Sequence, residues 1–167
     1  SWCPEKILRR RNFIRGRMEV VIASPVKVIV DYAHTADSLT KVYEVYKKET
    51  KICVLGSAGG GRDKWKRPVM GSIAGEYCQQ IILTNEDPYD EDPKAIVNDI
   101  ARGIKKDNFE IIIDRREAIR EALKIAKPGE VIIITGKGTD PYIMEAGGTK
   151  TPWDDAQVVR EEFSKLS

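Results

Sequence analysis

Six short apolar runs recur along the 167-residue chain: MEVVIA, KVIVDYA, KICVLG, QIILTN, EIIID and EVIIIT, each bounded by turn residues. They are rich in β-branched side chains and apolar at successive positions rather than at alternate ones. A strand buried on one face would alternate, whereas runs of this kind suit a parallel sheet covered by helices on both sides. Between them lie stretches with apolar residues at helical spacing: Ala36 to Lys48, Arg67 to Tyr77, Pro93 to Ile104, Arg115 to Ala126 and Asp154 to Leu166. Local start signals agree with that reading. Thr35 can cap the first helix, Pro93 suits an initial helical turn, and Asp114 can cap the fourth. The first two strands are predicted to form a hairpin across Ser24-Pro25. The pattern predicts an α/β fold: an open, mostly parallel sheet of about six strands with an N-terminal β-hairpin and helices on both faces.

Length and composition add limits. A chain of this size fits one domain with a real core, and we find no internal repeat, low-complexity segment or second domain. The basic opening as far as Arg15 reads as a connector from something upstream, which leaves residues 16–167 as the domain proper. Hydrophobic residues at 41% and charged residues at 32% match a globular protein rather than a disordered or fibrous one. No apolar run has the length of a membrane span and no signal-peptide core is present, so a cytoplasmic location without a membrane partner is expected. The net charge of +2 does not call for nucleic acid. Cys3, Cys53 and Cys78 are an odd number at scattered spacings with one histidine in the chain, so neither a metal site nor a disulfide is expected. Cys53 and Cys78 read as buried, inert thiols.

In a Rossmann-like sheet ligands bind beyond the C-terminal ends of the strands, and the unusual residues of this chain fall in those loops. GSAGGGRDKWKRP separates Gly56 and Gly61 as a phosphate loop would, but Arg62-Asp63 stands where Lys-Ser/Thr is required. What remains is a flexible glycine loop carrying Arg62, Lys64, Lys66 and Arg67 to a helix start, a place to grip a carboxylate. The alternative is a solvated lid that binds nothing. TNEDPYDEDP crowds Glu86, Asp87, Asp90, Glu91 and Asp92 into one loop. Glu86 and Asp87, nearest the strand end, are candidates for holding an ammonium group, while Asp90 to Asp92 suit the following helix N-terminus. Asp31 closes a strand where a ribose hydroxyl is often bound, and His34 follows three residues on. TGKGTDPY offers Gly136 and Gly138 for a close backbone approach and Asp140 as a further acid. An arginine for a carboxylate and two or three acids for an ammonium describe an amino-acid site.

Together GRMEVV, VDYAHTADSL, GSAGGGRDKWKRPVMG, TNEDPYDEDP and TGKGTDPY resemble, in order and spacing, the C-terminal domain of Mur ligases of the UDP-N-acetylmuramoyl-tripeptide synthetase branch. The match runs from about Arg15 to the end, and DYAHT followed by GGxRDKxKRPxMG is its most specific part. The resemblance implies a cytoplasmic ligase of peptidoglycan precursor synthesis that uses ATP and Mg2+. Such an enzyme activates the carboxylate of UDP-MurNAc-L-Ala-D-Glu as an acyl phosphate for attack by a third amino acid. By that resemblance Arg17 and Asp31 contact the nucleotide with His34 close by, and Arg62 binds the amino acid's carboxylate. Glu86, Asp87, Tyr89, Gly136 and Asp140 complete the amino-acid site.

Two departures follow. Members that add diaminopimelate read DNPR where this chain has Glu86, Asp87, Pro88 and Tyr89, so the arginine for the distal carboxylate is replaced by an uncharged ring. The family's GKGHE is here Gly136 to Asp140, with Thr139 for the histidine. Diaminopimelate is therefore not the expected substrate; lysine, ornithine or another amino acid is. The resemblance also places the phosphate loop, the metal ligands and the UDP-sugar site in other domains, so no catalytic or metal-binding residue is assigned here and this chain alone is expected to be inactive. The rivals are folylpolyglutamate or cyanophycin synthetases, which the RDKxKRP segment argues against, a stand-alone amino-acid or nucleotide binding module, and a flavodoxin-like regulator.

Overall fold

The computed structural model describes residues 14–166. Residues 1–13 of the expected connector, with Cys3, lie outside the described part.

Six strands form one sheet: β1 (Glu19–Ile22), β2 (Lys27–Asp31), β3 (Lys51–Leu55), β4 (Gln80–Leu83), β5 (Phe109–Ile111) and β6 (Val131–Thr135). Their order across the sheet is β1-β2-β6-β3-β4-β5, with β1 antiparallel to β2 and every other pair parallel. β6 is thus inserted between β2 and β3. The five helices are α1 (Ala36–Val45), α2 (Lys66–Tyr77), α3 (Pro93–Ala101), α4 (Arg115–Ile125) and α5 (Asp155–Ser164). All lie within three residues of the ranges predicted at either end. The predicted caps form as well. Thr35 and Ser38 make a capping box on α1, Pro93 opens α3 behind an Asp92 cap, and Asp114 caps α4 through the Glu117 N–H.

Alternation within the strands divides the core in two. Ile29, Cys53, Leu55, Ile81, Leu83, Val131 and Ile133 pack with Leu39, Tyr43, Met70, Ala74, Val97 and Ile100, on the side of α1, α2 and α3. Val28, Val30, Ile52, Val54, Ile82, Ile132 and Ile134 pack with Ala118, Ile119, Ala122, Val158 and Val159, on the side of α4 and α5. Each Ile or Val so buried contributes roughly 1.5–3 kcal/mol, which is why strands apolar on both faces dominate the pattern. Among the described residues no helix is long and apolar enough to cross a membrane.

One expectation needs correction. Cys53 and Cys78 are not free thiols: they form a disulfide, with Cα atoms 6.1 Å apart and a sequence separation of 25. Cys53 lies in β3 and Cys78 sits between α2 and β4, the strand that pairs with β3, so the fold brings together residues whose spacing carried no signal. Residues 142–152, for which the pattern predicted no element, add a small antiparallel hairpin of β7 (Tyr142–Met144) and β8 (Lys150–Pro152) as a separate two-stranded sheet. With three residues per strand and mostly exposed side chains, it lacks the apolar run by which the other strands are legible.

Candidate functional site

The loops that follow β2, β3, β4 and β6 meet at the C-terminal edge of the sheet. Those after β3 and β4 run together as two lips. The Gly59 N–H donates to the Asp87 carbonyl at 2.7 Å, and a Cβ on Gly59 would lie 2.0 Å from the Pro88 carbonyl oxygen, so only glycine permits the approach. Arg67, with its side chain 1% exposed, ties the lips from below. Its Nη1 donates to Glu91 Oε2 and to Asp99 Oδ2, each at 3.1 Å, and its Nη2 donates to the Ala58 carbonyl and to Glu91 Oε1, each at 3.2 Å. Glu91 also accepts the Gly61 N–H, and Arg67 beside it holds its carboxyl below the usual carboxylate range. Glu91 therefore does more than favour the α3 N-terminus.

Between the lips opens a cavity of about 460 Å³ lined by Ala58, Gly59, Gly60, Arg62, Asp63, Lys66, Tyr89 and Asp90. Its size lies within the range of small-molecule sites. Arg62, Asp63 and Lys66 line it from the glycine loop and Tyr89 and Asp90 from the acidic loop, so both charge signs and an exposed aromatic ring are present, which suits a ligand carrying both charges. Tyr89 holds φ at 51°, a left-handed conformation unusual for a side chain of its size. Of the residues predicted for the amino-acid site, Arg62 and Tyr89 share this cavity; Glu86, Asp87, Gly136 and Asp140 are not in its lining.

Those four form a second cluster. Glu86 is buried, burial raises its pKa, and its Oε2 has no hydrogen-bond partner. That carboxylate presses on Gly136, where φ is 108° and a Cβ would stand 2.4 Å from Glu86 Oε2. The glycine thus serves a close approach within the protein itself. Lys137 is also buried, and its Nζ pairs with Asp87 Oδ1 at 2.8 Å and with Asp140 at 3.7 Å. The same Asp87 oxygen accepts the Met144 N–H, Tyr89 N–H donates to the Met144 carbonyl, and Asp90 accepts the Gly147 N–H. The acidic loop therefore holds the β7–β8 hairpin. Lys137 was visible in sequence only as a residue between two glycines, since its partner lies 50 positions away.

At the β2 end, both oxygens of Asp31 accept backbone N–H groups, Oδ2 from Met18 and Oδ1 from Ala33, each at 2.7 Å. The Arg17 guanidinium lies 4.8 Å from the centre of the Tyr32 ring, and the Tyr32 and His34 rings stand 4.7 Å apart, nearly edge to face. His34 Nδ1 donates to the Tyr32 carbonyl at 3.0 Å. Arg17 and His34 are exposed, Asp31 is buried. Tyr32 was quoted in sequence only as part of its motif. Its hydroxyl is raised in pKa first by burial and then by Asp140 and Glu86, against the opposing charge of Arg17. Among the described residues no cluster of three or more His, Cys, Asp or Glu is placed to hold a metal ion.

An open α/β sheet with its charged loops gathered beyond the parallel strand ends defines the class: an α/β domain of the doubly wound kind. The family described as "Mur ligase, glutamate ligase domain" matches residues 16–138, and this chain belongs to the Mur ligase family, as its C-terminal domain. It is 47% identical over 164 residues to the UDP-N-acetylmuramoyl-L-alanyl-D-glutamate–2,6-diaminopimelate ligase of Aquifex aeolicus, covering 95% of this chain and 34% of that protein. It is 41% identical over 169 residues to the UDP-N-acetylmuramyl-tripeptide synthetase of a Roseiflexus species, covering 95% and 33%. A solved structure of a UDP-N-acetylmuramoyl-L-alanyl-D-glutamate–2,6-diaminopimelate ligase superposes with a TM-score of 0.83 at 35% identity, over 92% of this chain and 32% of that one. A folylpolyglutamate synthase from Thermotoga maritima shares the fold at a TM-score of 0.58 and 20% identity, over 81% and 31%. The chain thus spans about one third of the length of these relatives.

Proposed function

We propose that this chain is the amino-acid-selecting domain of an ATP-dependent ligase that adds the third amino acid to UDP-MurNAc-L-Ala-D-Glu in the cytoplasm. The cavity between the glycine loop and the acidic loop carries this reading, because Arg62, Lys66 and Asp63 from one loop and Tyr89 and Asp90 from the other line a space of about 460 Å³. The α-carboxylate meets Arg62. Arg17, Asp31 and His34 form the nucleotide side, Asp31 by shaping the turn with its two backbone bonds and Arg17 with His34 by presenting exposed polar groups. ATP and Mg2+ are held mainly by other domains, as is UDP-MurNAc-dipeptide. Catalysis requires closure of those domains on this one, because setting two substrates in line is worth about 7–11 kcal/mol and this chain by itself supplies only one of them. Residues 1–15 are then the connector to those domains.

The preferred amino acid lacks a second carboxylate. Relatives named for diaminopimelate weigh toward that substrate, and Tyr89 weighs against it, since a phenol in place of an arginine offers no charge to a distal carboxylate. Assaying the ligase that carries this domain against lysine, ornithine and diaminopimelate decides the matter. Lysine or ornithine is expected to give the highest kcat/KM, Tyr89→Arg is expected to shift preference toward diaminopimelate, and best use of diaminopimelate by the unaltered protein overturns the preference. Arg62→Ala tests the site itself: an unchanged KM for the amino acid sinks it.

A further inference from the structure

Arg115 opens α4 on the α5 side of the sheet, yet its guanidinium reaches the roots of two site loops. Nη1 donates to the Asn85 carbonyl at 3.0 Å and Nη2 to the Thr135 carbonyl at 2.9 Å. Nε and Nη2 form a two-pronged pair with Asp155 at 2.9 and 2.8 Å, and Asp155 also accepts the Trp153 Nε1–H at 2.7 Å. Arg115 is 2% exposed and Asp155 not at all.

Asn85 immediately precedes Glu86 and Asp87, and Thr135 immediately precedes Gly136 and Lys137. β4 and β6 are not neighbours in the sheet, because β3 lies between them, so no backbone ladder sets the distance between their two loops. The planar guanidinium spans that gap. Asp155 and Trp153, from the start of α5 and the segment just before it, fix its orientation.

We infer that Arg115 is a positioning residue for amino-acid selection: held by Asp155, it fixes the spacing of the Gly136–Lys137 segment and the Glu86–Asp87 segment, and the latter leads directly into Tyr89 and Asp90 of the cavity. The inference rests on the amino-acid-site reading above. A lysine keeps the charge but has one nitrogen and cannot bond both carbonyls and a carboxylate in one plane. A leucine pair at positions 115 and 155 removes both charges together and so leaves neither one buried alone, though the Asn85 and Thr135 carbonyls and the Trp153 Nε1–H lose their partner, so thermal unfolding is read beside KM.

The test uses Arg115→Lys and the double variant Arg115→Leu/Asp155→Leu in the ligase that carries this domain, with thermal unfolding and separate KM values for amino acid and ATP. The expected result is a rise of roughly tenfold or more in the amino-acid KM, as for a small misplacement of reacting groups, with the ATP KM unchanged. The rise persists in the double variant even where its Tm matches that of the unaltered protein. An amino-acid KM that stays put in a folded variant makes the pair a core strut and overturns the inference. Trp153→Phe removes a single hydrogen bond to Asp155 and covers the case in which the Arg115 variants do not fold: a smaller rise in the same KM supports the inference, and no change overturns it. Arg62→Ala, run in parallel, separates the two failures. If it leaves the amino-acid KM unchanged the site reading has failed; if it raises KM while the Arg115 and Trp153 variants do not, only the positioning role has.

Discussion

The two ends of the sheet bury positive charge in opposite ways. At the N-terminal end Lys51 is 1% exposed, and its Nζ donates to the carbonyls of Tyr46 and Glu49, both within five residues, where α1 runs out. Burial pushes its pKa down. At the C-terminal end Arg67, Arg115 and Lys137 are as deeply buried, but each also pairs with a carboxylate far along the chain, Glu91 and Asp99 for Arg67, Asp155 for Arg115 and Asp87 for Lys137, beside nearer or carbonyl partners. A cation answered by nearby carbonyls completes a helix end. Cations answered by distant carboxylates hold loops in register, so the C-terminal edge couples stability to the geometry of the site and the N-terminal edge does not.

The sharpest way to break this comparison is Arg67→Met. It leaves Glu91, Asp99 and the Ala58 carbonyl without their shared donor, and a loss of about 3 kcal/mol is expected in urea unfolding, together with weaker amino-acid binding by the ligase. A stability loss with binding untouched contradicts the coupling. Lys51→Met is the counterpart. It removes two hydrogen bonds but also a buried charge, so a loss of about 1 kcal/mol or less is expected, with the amino-acid KM unchanged.

The smallest effect is a pH dependence. Burial raises the folded-state pKa of Glu86 above 4.5, so the folded protein holds that proton more tightly than the unfolded chain. Its stabilising share is full below the unfolded value and is lost as pH rises through the folded one. Glu86→Gln is expected to flatten the fall in Tm that accompanies a rise in pH above the ordinary carboxylate range. Glu162 runs the other way. Arg120 and Arg116 hold its carboxyl well below the usual range, and its contribution, present above 4.5, fades as pH falls. Identical pH profiles for Glu86→Gln and the unaltered protein contradict the assignment of a buried, protonatable acid at the site edge.

The chain's own pattern carried the architecture because the signals for it are local. Runs such as VIII in Val131 to Ile134 are apolar at every position because β6 is buried on both faces, and Thr35, Asp92 and Asp114 bond N–H groups within three residues of themselves. Loop placement was legible in part: Arg62 and Tyr89 line one cavity, while Glu86, Asp87, Gly136 and Asp140, expected in the same site, lie outside its lining. Partnerships were not legible. The disulfide joins residues 25 apart, Lys137 finds Asp87 from 50 positions away, and Arg115 had entered only as the first residue of a predicted helix.

By itself, then, the sequence determined the sheet, the helices and the edge at which charged loops would gather, since periodicity and capping act within a few residues. Which carboxylate answers which cation was decided by the tertiary structure alone. Burying a charge is tolerable only where a partner of opposite sign stands within hydrogen-bond reach, and the sheet order, with β6 laid between β2 and β3, sets those distances.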